Sequence, residues 1–102
     1  MRADGRDPGV RRWLLRLGAF VRAARRAVKK NPRLASDLAA ALEALEQDAF
    51  HPSLRTHKLK GRLEGSWACS AGYDLRILFR FVTHSDVEAI LLLTVGGHDK
   101  VY

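Results

Sequence analysis

The sequence predicts an α+β fold, with two antiparallel helices near the N-terminus followed by a mainly antiparallel sheet of four to five strands. Two observations carry this. Apolar residues recur at helical spacing from Leu17 to about Ala49, and after Phe50-His51-Pro52 the period falls from 3.6 to 2, which is the change from helix to strand. The length, 102 residues, accommodates one domain of ordinary size. Residues 1–12 read as a basic, partly disordered extension and residues 13–102 as the single folded unit.

Taken in order, Trp13 to Leu17 is a short strand. Leu17, Phe20, Val21, Ala24 and Val28 then follow the i, i+3, i+4, i+7 rule while Arg22, Arg25, Arg26 and Lys29 take the opposite face, giving an amphipathic helix with a basic back. Lys30-Asn31-Pro32 ends it, and Asn31 reads as the N-cap of a second helix with Pro32 at its first position. Leu34, Leu38, Ala41, Leu42 and Leu45 continue at helical spacing. Beyond the proline turn, the run from His57 to Leu63 alternates as a strand, with Lys58, Lys60 and Arg62 aimed at one face. Glu64-Gly65 is a turn, Trp67 to Ala71 a strand, and Gly72 another turn. Leu75, Ile77, Phe79 and Phe81 alternate with Arg76, Leu78, Arg80 and Val82, so one face is apolar and the other carries two arginines with Asp74 in the same register. Ala89 to Val95, apolar on both faces, reads as a central strand reached through a hairpin at His84-Ser85-Asp86 and ended by Gly96-Gly97.

Composition narrows the function. A core is affordable at 47% hydrophobic residues, and no apolar run approaches the roughly 20 residues of a membrane span. With no signal-peptide pattern in Met1 to Arg12, the expectation is a cytoplasmic protein without membrane contact. A lone cysteine, Cys69, excludes an internal disulfide and a Cys-x-x-Cys metal or redox pair, so no metal and no cofactor are expected. The net charge of +7 is the footprint of a protein that meets a polyanion. It is also polarised: residues 1–33 hold eleven basic and two acidic side chains, whereas residues 34–50 hold four acids and no base.

No phosphate loop, dinucleotide fingerprint, zinc motif or nucleophile elbow is present. The remaining polar set is His57, Lys58 and Lys60, then Asp74 and Arg76, then His98 and Tyr102. Cutting RNA needs a base for the 2′-hydroxyl, a cationic clamp on the phosphorane and an acid for the departing 5′-oxygen, and histidine titrates in the range for either proton role. Each has a plainer alternative: His57 as an exposed strand residue, Asp74 as a turn former or partner of Arg76, Tyr102 as a frayed end. His51 and His84 read as incidental surface residues and Cys69 as a small buried hydrophobe. These residues describe a basic α+β domain that binds nucleic acid, and they leave open whether it cuts.

Three segments together carry more. Asp48 to Gly61 (DAFHPSLRTHKLKG), Gly65 to Phe79 (GSWACSAGYDLRILF) and Leu93 to Tyr102 (LTVGGHDKVY) resemble, in this order, the RelE/ParE toxin superfamily, and within it the YafQ-type mRNA interferases. The resemblance runs from Trp13 to Tyr102 and implies a RelE-like fold, two helices on a curved sheet. It implies an endoribonuclease that cleaves mRNA in the ribosomal A site and is neutralised by a cognate antitoxin. Carried over, the His-x-Leu-x-Gly motif puts a catalytic histidine at His57, the Tyr-Asp element a carboxylate at Asp74, the Gly-x-His element a histidine at His98, and the closing aromatic falls on Tyr102. Lys58, Lys60, Arg62 and Arg76 match RNA-contacting basic positions. Ser70 departs from the pattern, which has a further histidine there. The superfamily's other branch implies a ParE-like inhibitor of DNA gyrase with no nuclease activity, and loss of the Ser70 histidine keeps an inactive RNA-binding module as a third reading.

Overall fold

The computed structural model describes residues 11–97; the expectations for residues 1–10, and for His98 and Tyr102, lie outside the described residues. Strand β1 (Trp13–Arg16) is followed by helices α1 (Gly18–Lys30) and α2 (Leu34–Gln47), then by strands β2 (His57–Lys58), β3 (Trp67–Ala71), β4 (Leu75–His84) and β5 (Val87–Gly97). The five strands form one sheet in the order β1-β5-β4-β3-β2, with β1 parallel to β5 and every other pair antiparallel. Both helices lie on one side of it. Phe20 and Ala23 of α1 and Leu38, Ala41 and Leu45 of α2 meet Cys69, Ile77, Phe79, Ile90 and Leu92 of the sheet in one buried core.

Local chemistry sets the ends of the elements. At the α1–α2 junction Asn31 Oδ1 accepts from the Arg33 N–H at 3.3 Å, while Leu34 and Ala35 donate to Asn31 and Pro32 carbonyls at 2.9 and 3.2 Å. These are tight, three-residue bonds, so the regular helix begins at Leu34, two residues later than the Asn-Pro signal places it. Its far end comes at Gln47 because Asp48 turns the chain, its carboxylate accepting the Phe50 N–H at 3.1 Å.

The predicted strand from His57 to Leu63 is corrected to two residues, His57 and Lys58. Gly61, at φ +69°, takes a left-handed conformation that breaks the extended run, and Gly61–Leu63 winds into a single 3-10 turn. Lys58, Lys60 and Arg62 are therefore not aligned along one strand face. The Gly96-Gly97 pair is the second correction: rather than following the strand it forms the last two described residues of β5, paired with Arg76 and Leu75 of β4. A neighbouring strand supplies the backbone bonds, which side-chain propensity does not report.

The β4–β5 hairpin turns through Ser85 and Asp86, both at positive φ (53° and 64°), between the paired His84 and Val87. This is the two-residue turn whose twist matches that of the strands. Farther along, Leu78 pairs with Thr94 but Phe79 with Leu92, so Leu93 is an extra residue in β5. This bulge reverses the alternation, keeping Ile90, Leu92 and then Val95 toward the helices.

Arg12, assigned to the N-terminal extension by the sequence pattern, is fully buried. Its guanidinium lies 3.1 Å from a Glu88 carboxylate oxygen and 5.1 Å from the Phe81 ring centroid, and the backbone N–H of Arg12 donates to the Glu46 backbone carbonyl at 2.8 Å. One arginine thus ties the start of β1 to the end of α2 and to the aromatic cluster of Phe50, Trp67, Phe79 and Phe81.

Candidate active site

Residues directly opposite each other in a sheet share a face, and the face changes at every residue. That rule locates the polar groups. His57 is opposite Ala68, which is opposite Leu78 and then Thr94; the next rung joins Ser70, Arg76 and Gly96. Both rungs lie on the side away from α1 and α2, since their neighbours Cys69, Ala71, Ile77 and Val95 belong to the helix-side core. The bulge at Leu93 is what brings Thr94 and Gly96 onto this open face rather than Val95. From strand spacing and rise, His57 and Arg76 are about 12 Å apart at the backbone, the breadth of a nucleotide.

His57 is exposed, and its Nδ1 is 2.9 Å from the Arg55 carbonyl oxygen. A carbonyl only accepts, so Nδ1 carries the hydrogen, and in the neutral ring Nε2 holds the lone pair. This is the tautomer a general base requires. Arg76, half-buried, donates through Nη1 to the Leu75 carbonyl at 3.1 Å. That bond leaves most of its guanidinium donors for an anion. Ser70, in the position of the missing histidine, is its direct cross-strand partner. Asp74 lies one residue before β4 in an exposed turn, where it shares a groove with Gly96 and Gly97.

The other predicted RNA contacts separate. Lys58 takes the opposite register to His57, and its Nζ lies 5.6 Å from the Trp67 ring centroid on the aromatic side. Lys60 and Arg62 are exposed on the short turn after β2. His51 caps the turn at Pro52–Leu54, accepting the Ser53 N–H through Nδ1 at 3.1 Å, and His84 is exposed where β4 ends. Burial pushes the Cys69 thiol up to about 12, with Arg76 opposing only in part, so this cysteine stays a neutral thiol and no nucleophile at neutral pH.

Sequence reasoning missed two members of the open face. Thr94 is placed there by the bulge, for which the sequence has no marker. Gly96 carries a signal, a glycine in a strand where another group approaches closely, but read alone it looks like a terminator. Among the described residues, no three His, Cys, Asp or Glu side chains come together as a metal site, and no helix is long and apolar enough to cross a membrane.

No family model and no curated protein matches the sequence. Solved structures do. The YoeB/ParE toxin from Agrobacterium tumefaciens superposes with a TM-score of 0.69 at 13% identity, over 84% of this chain and 98% of that one. A chain of the E. coli DinJ-YafQ toxin-antitoxin complex gives 0.67 at 14%, over 91% and 99%, and YoeB from a Staphylococcus aureus dimer gives 0.64 at 13%, over 87% and 99%. The chain has the RelE/ParE-like toxin fold that its motifs imply.

Proposed function

We propose that this chain is the toxin of a type II toxin-antitoxin pair and a ribosome-dependent endoribonuclease that cuts mRNA in the A site. One observation carries the reading: the His57 rung and the Ser70–Arg76–Gly96 rung occupy one sheet face, the one turned away from the helices, at the end of β5 from which His98 follows Gly97 in the chain. The toxin fold supports it, as does the net charge of +7.

The mechanism is in-line attack. The 2′-oxygen forms a bond to phosphorus as the bond to the 5′-oxygen breaks, leaving a 2′,3′-cyclic phosphate and a 5′-hydroxyl. His57 Nε2, or the Asp74 carboxylate, takes the 2′ proton, and His98 gives one to the 5′-oxygen. Arg76 holds the non-bridging oxygens, where negative charge grows in the transition state. Ser70, beside it, offers a neutral hydrogen bond in place of a titrating group. Lys58, Lys60 and Arg62 attract the flanking backbone, and Tyr102 stacks a base. The partners are a cognate antitoxin, the ribosome and its mRNA, in the cytoplasm.

Primer extension on an mRNA engaged by translating ribosomes tests this. Wild-type protein gives cuts in register with the codon, and His98→Ala, correctly folded, gives none. Wild-type cutting by His98→Ala removes His98 from the scheme. No cutting by folded wild-type protein transfers the role to inhibition without cleavage, for which a gyrase supercoiling assay is the direct readout.

A further inference from the structure

The hairpin between β3 and β4 closes on the Ala71–Leu75 pair, both buried, and turns through Gly72, Tyr73 and Asp74. Gly72 takes the positive φ, +67°, against the Asp37 side chain of α2, which a Cβ there would strike. The turn is held by the sheet at its base and by α2 at its side. At its tip Tyr73 is 93% exposed, and among the described residues it makes no ring contact and no side-chain hydrogen bond.

Neither folding nor turn geometry calls for an aromatic residue there. Glycine already supplies the unusual backbone conformation, small polar residues serve the other turn positions, and a ring left in water adds nothing to the core. Nor does Tyr73 belong to an apolar patch. Among the described residues the other exposed large apolar side chains are Trp13, Leu17 and Val87. Trp13 pairs with Ala89, the Leu17 N–H donates to the Leu92 carbonyl and Val87 opens β5, whereas the Tyr73 hairpin closes beside Gly97 at the other end of that strand. A protein partner is recognised through contiguous apolar surface; a single ring between a glycine and an aspartate offers one flat π face. What lies beside it is the proposed cleavage site. Asp74 is the next residue, and past the Ala71–Leu75–Gly97 rung comes the rung of Ser70, Arg76 and Gly96, about 7–10 Å from the tip at ordinary strand rise. An RNA strand whose phosphate is held by Arg76 passes this ring within the reach of one nucleotide, and unpaired bases are held by stacking on such side chains.

We infer that Tyr73 stacks a base flanking the scissile phosphate and contributes to the choice of codon, an inference that rests on the nuclease reading for its substrate. Because the turn is already fixed, the ring is presented without an ordering cost in the backbone. Preferences of this kind come from stacking strength, so a purine is favoured at the stacked position. The ring does this work and the hydroxyl takes no part, which separates Tyr73 from the groups that move protons.

Two measurements on the full chain test this. Single-turnover cleavage of ribosome-bound mRNAs that differ only in the A-site codon gives a rate and a half-saturating concentration for each. Equilibrium binding to the same ribosomes carrying a 2′-deoxy A-site codon, which lacks the attacking hydroxyl, gives affinity without cleavage. Tyr73→Ala is expected to weaken binding about tenfold on codons with a purine at the stacked position and less on the others, flattening the codon ranking, while the urea midpoint is unchanged. Tyr73→Phe keeps the ring and stays within about twofold of wild type on every codon. Wild-type affinity and ranking in Tyr73→Ala overturn the inference and leave the nuclease reading in place. An equal loss on every codon overturns it too, since the ring then meets something other than a base or merely supports the turn. So does a loss in Tyr73→Phe as large as in Tyr73→Ala, which assigns the hydroxyl instead. Wild-type protein that binds the 2′-deoxy complexes with this dependence on Tyr73 but never cuts removes only the nuclease reading; wild-type protein that neither binds nor cuts removes both.

Discussion

Strands β3 and β4 present two different surfaces from adjacent residues. Toward the helices, Cys69, Ile77 and Phe79 are fully buried; one residue away, Ser70 and Arg76 face outward and keep contact with water. The same backbone ladder supports both. The difference shows how one ladder serves two environments. The covered face supplies the burial that holds the strands rigid, at roughly 25 cal/mol per Å². The other face then positions His57 and Arg76 in contact with water, which avoids the full penalty of desolvating an unpaired charge.

Removing mass from the helix-covered face has the largest expected effect. Phe79→Ala should cost about 3–5 kcal/mol by urea denaturation, and a cost under about 1 kcal/mol would mean that this face does not hold the fold. A smaller loss, about 1–2 kcal/mol, is expected for Gly72→Ala. Gly72 takes φ +67° and a Cβ there collides with the Asp37 side chain of α2, so an unchanged urea midpoint would show that this hairpin turn is not pinned by α2.

Cys69 reports on the dryness of the covered face through pH. The unfolded thiol, at its ordinary value of 9.0, ionises before the folded one at about 12. Between these values the unfolded state has lost a proton that the folded state retains, so stability falls as pH rises, by roughly 1 kcal/mol per unit. Below pH 9 the contribution is constant. Cys69→Ala should remove that slope in urea titrations at stepped pH, and a slope that survives the substitution assigns it to other groups. The smallest effect is expected far from both faces, at the hairpin: Ser85→Gly relieves a positive φ of 53° and should raise stability by about 0.5 kcal/mol, detectable as a higher midpoint.

What was legible in the sequence follows the same division. Apolar periodicity located α1, β3 and the alternation of β4, because burial against one partner writes a regular pattern. His57, Asp74 and Arg76 were legible as chemistry, and the resemblance named them. The parallel pairing of β1 with β5, the bulge at Leu93 and the rung from Ser70 to Gly96 depend on strand register, which joins residues too distant in sequence for any local pattern to link. Gly61 was visible as a residue but not as a strand breaker, since only its φ shows that role. Arg12 was misleading by type: an arginine beside a basic tail reads as solvated, and only its pairing with Glu88 and Phe81 permits its burial.

Under the proposed function, the face away from the helices carries cleavage while the helix-covered face carries the fold. Single-turnover cleavage of ribosome-bound mRNA by His57→Ala and Arg76→Ala, with the urea midpoint of each protein measured in parallel, tests it most directly. Each variant is expected to lose about 10²-fold or more in rate while its midpoint stays within about 0.5 kcal/mol of wild type. Cleavage at the wild-type rate in both variants, or a loss of rate that merely follows a loss of folding, would contradict it.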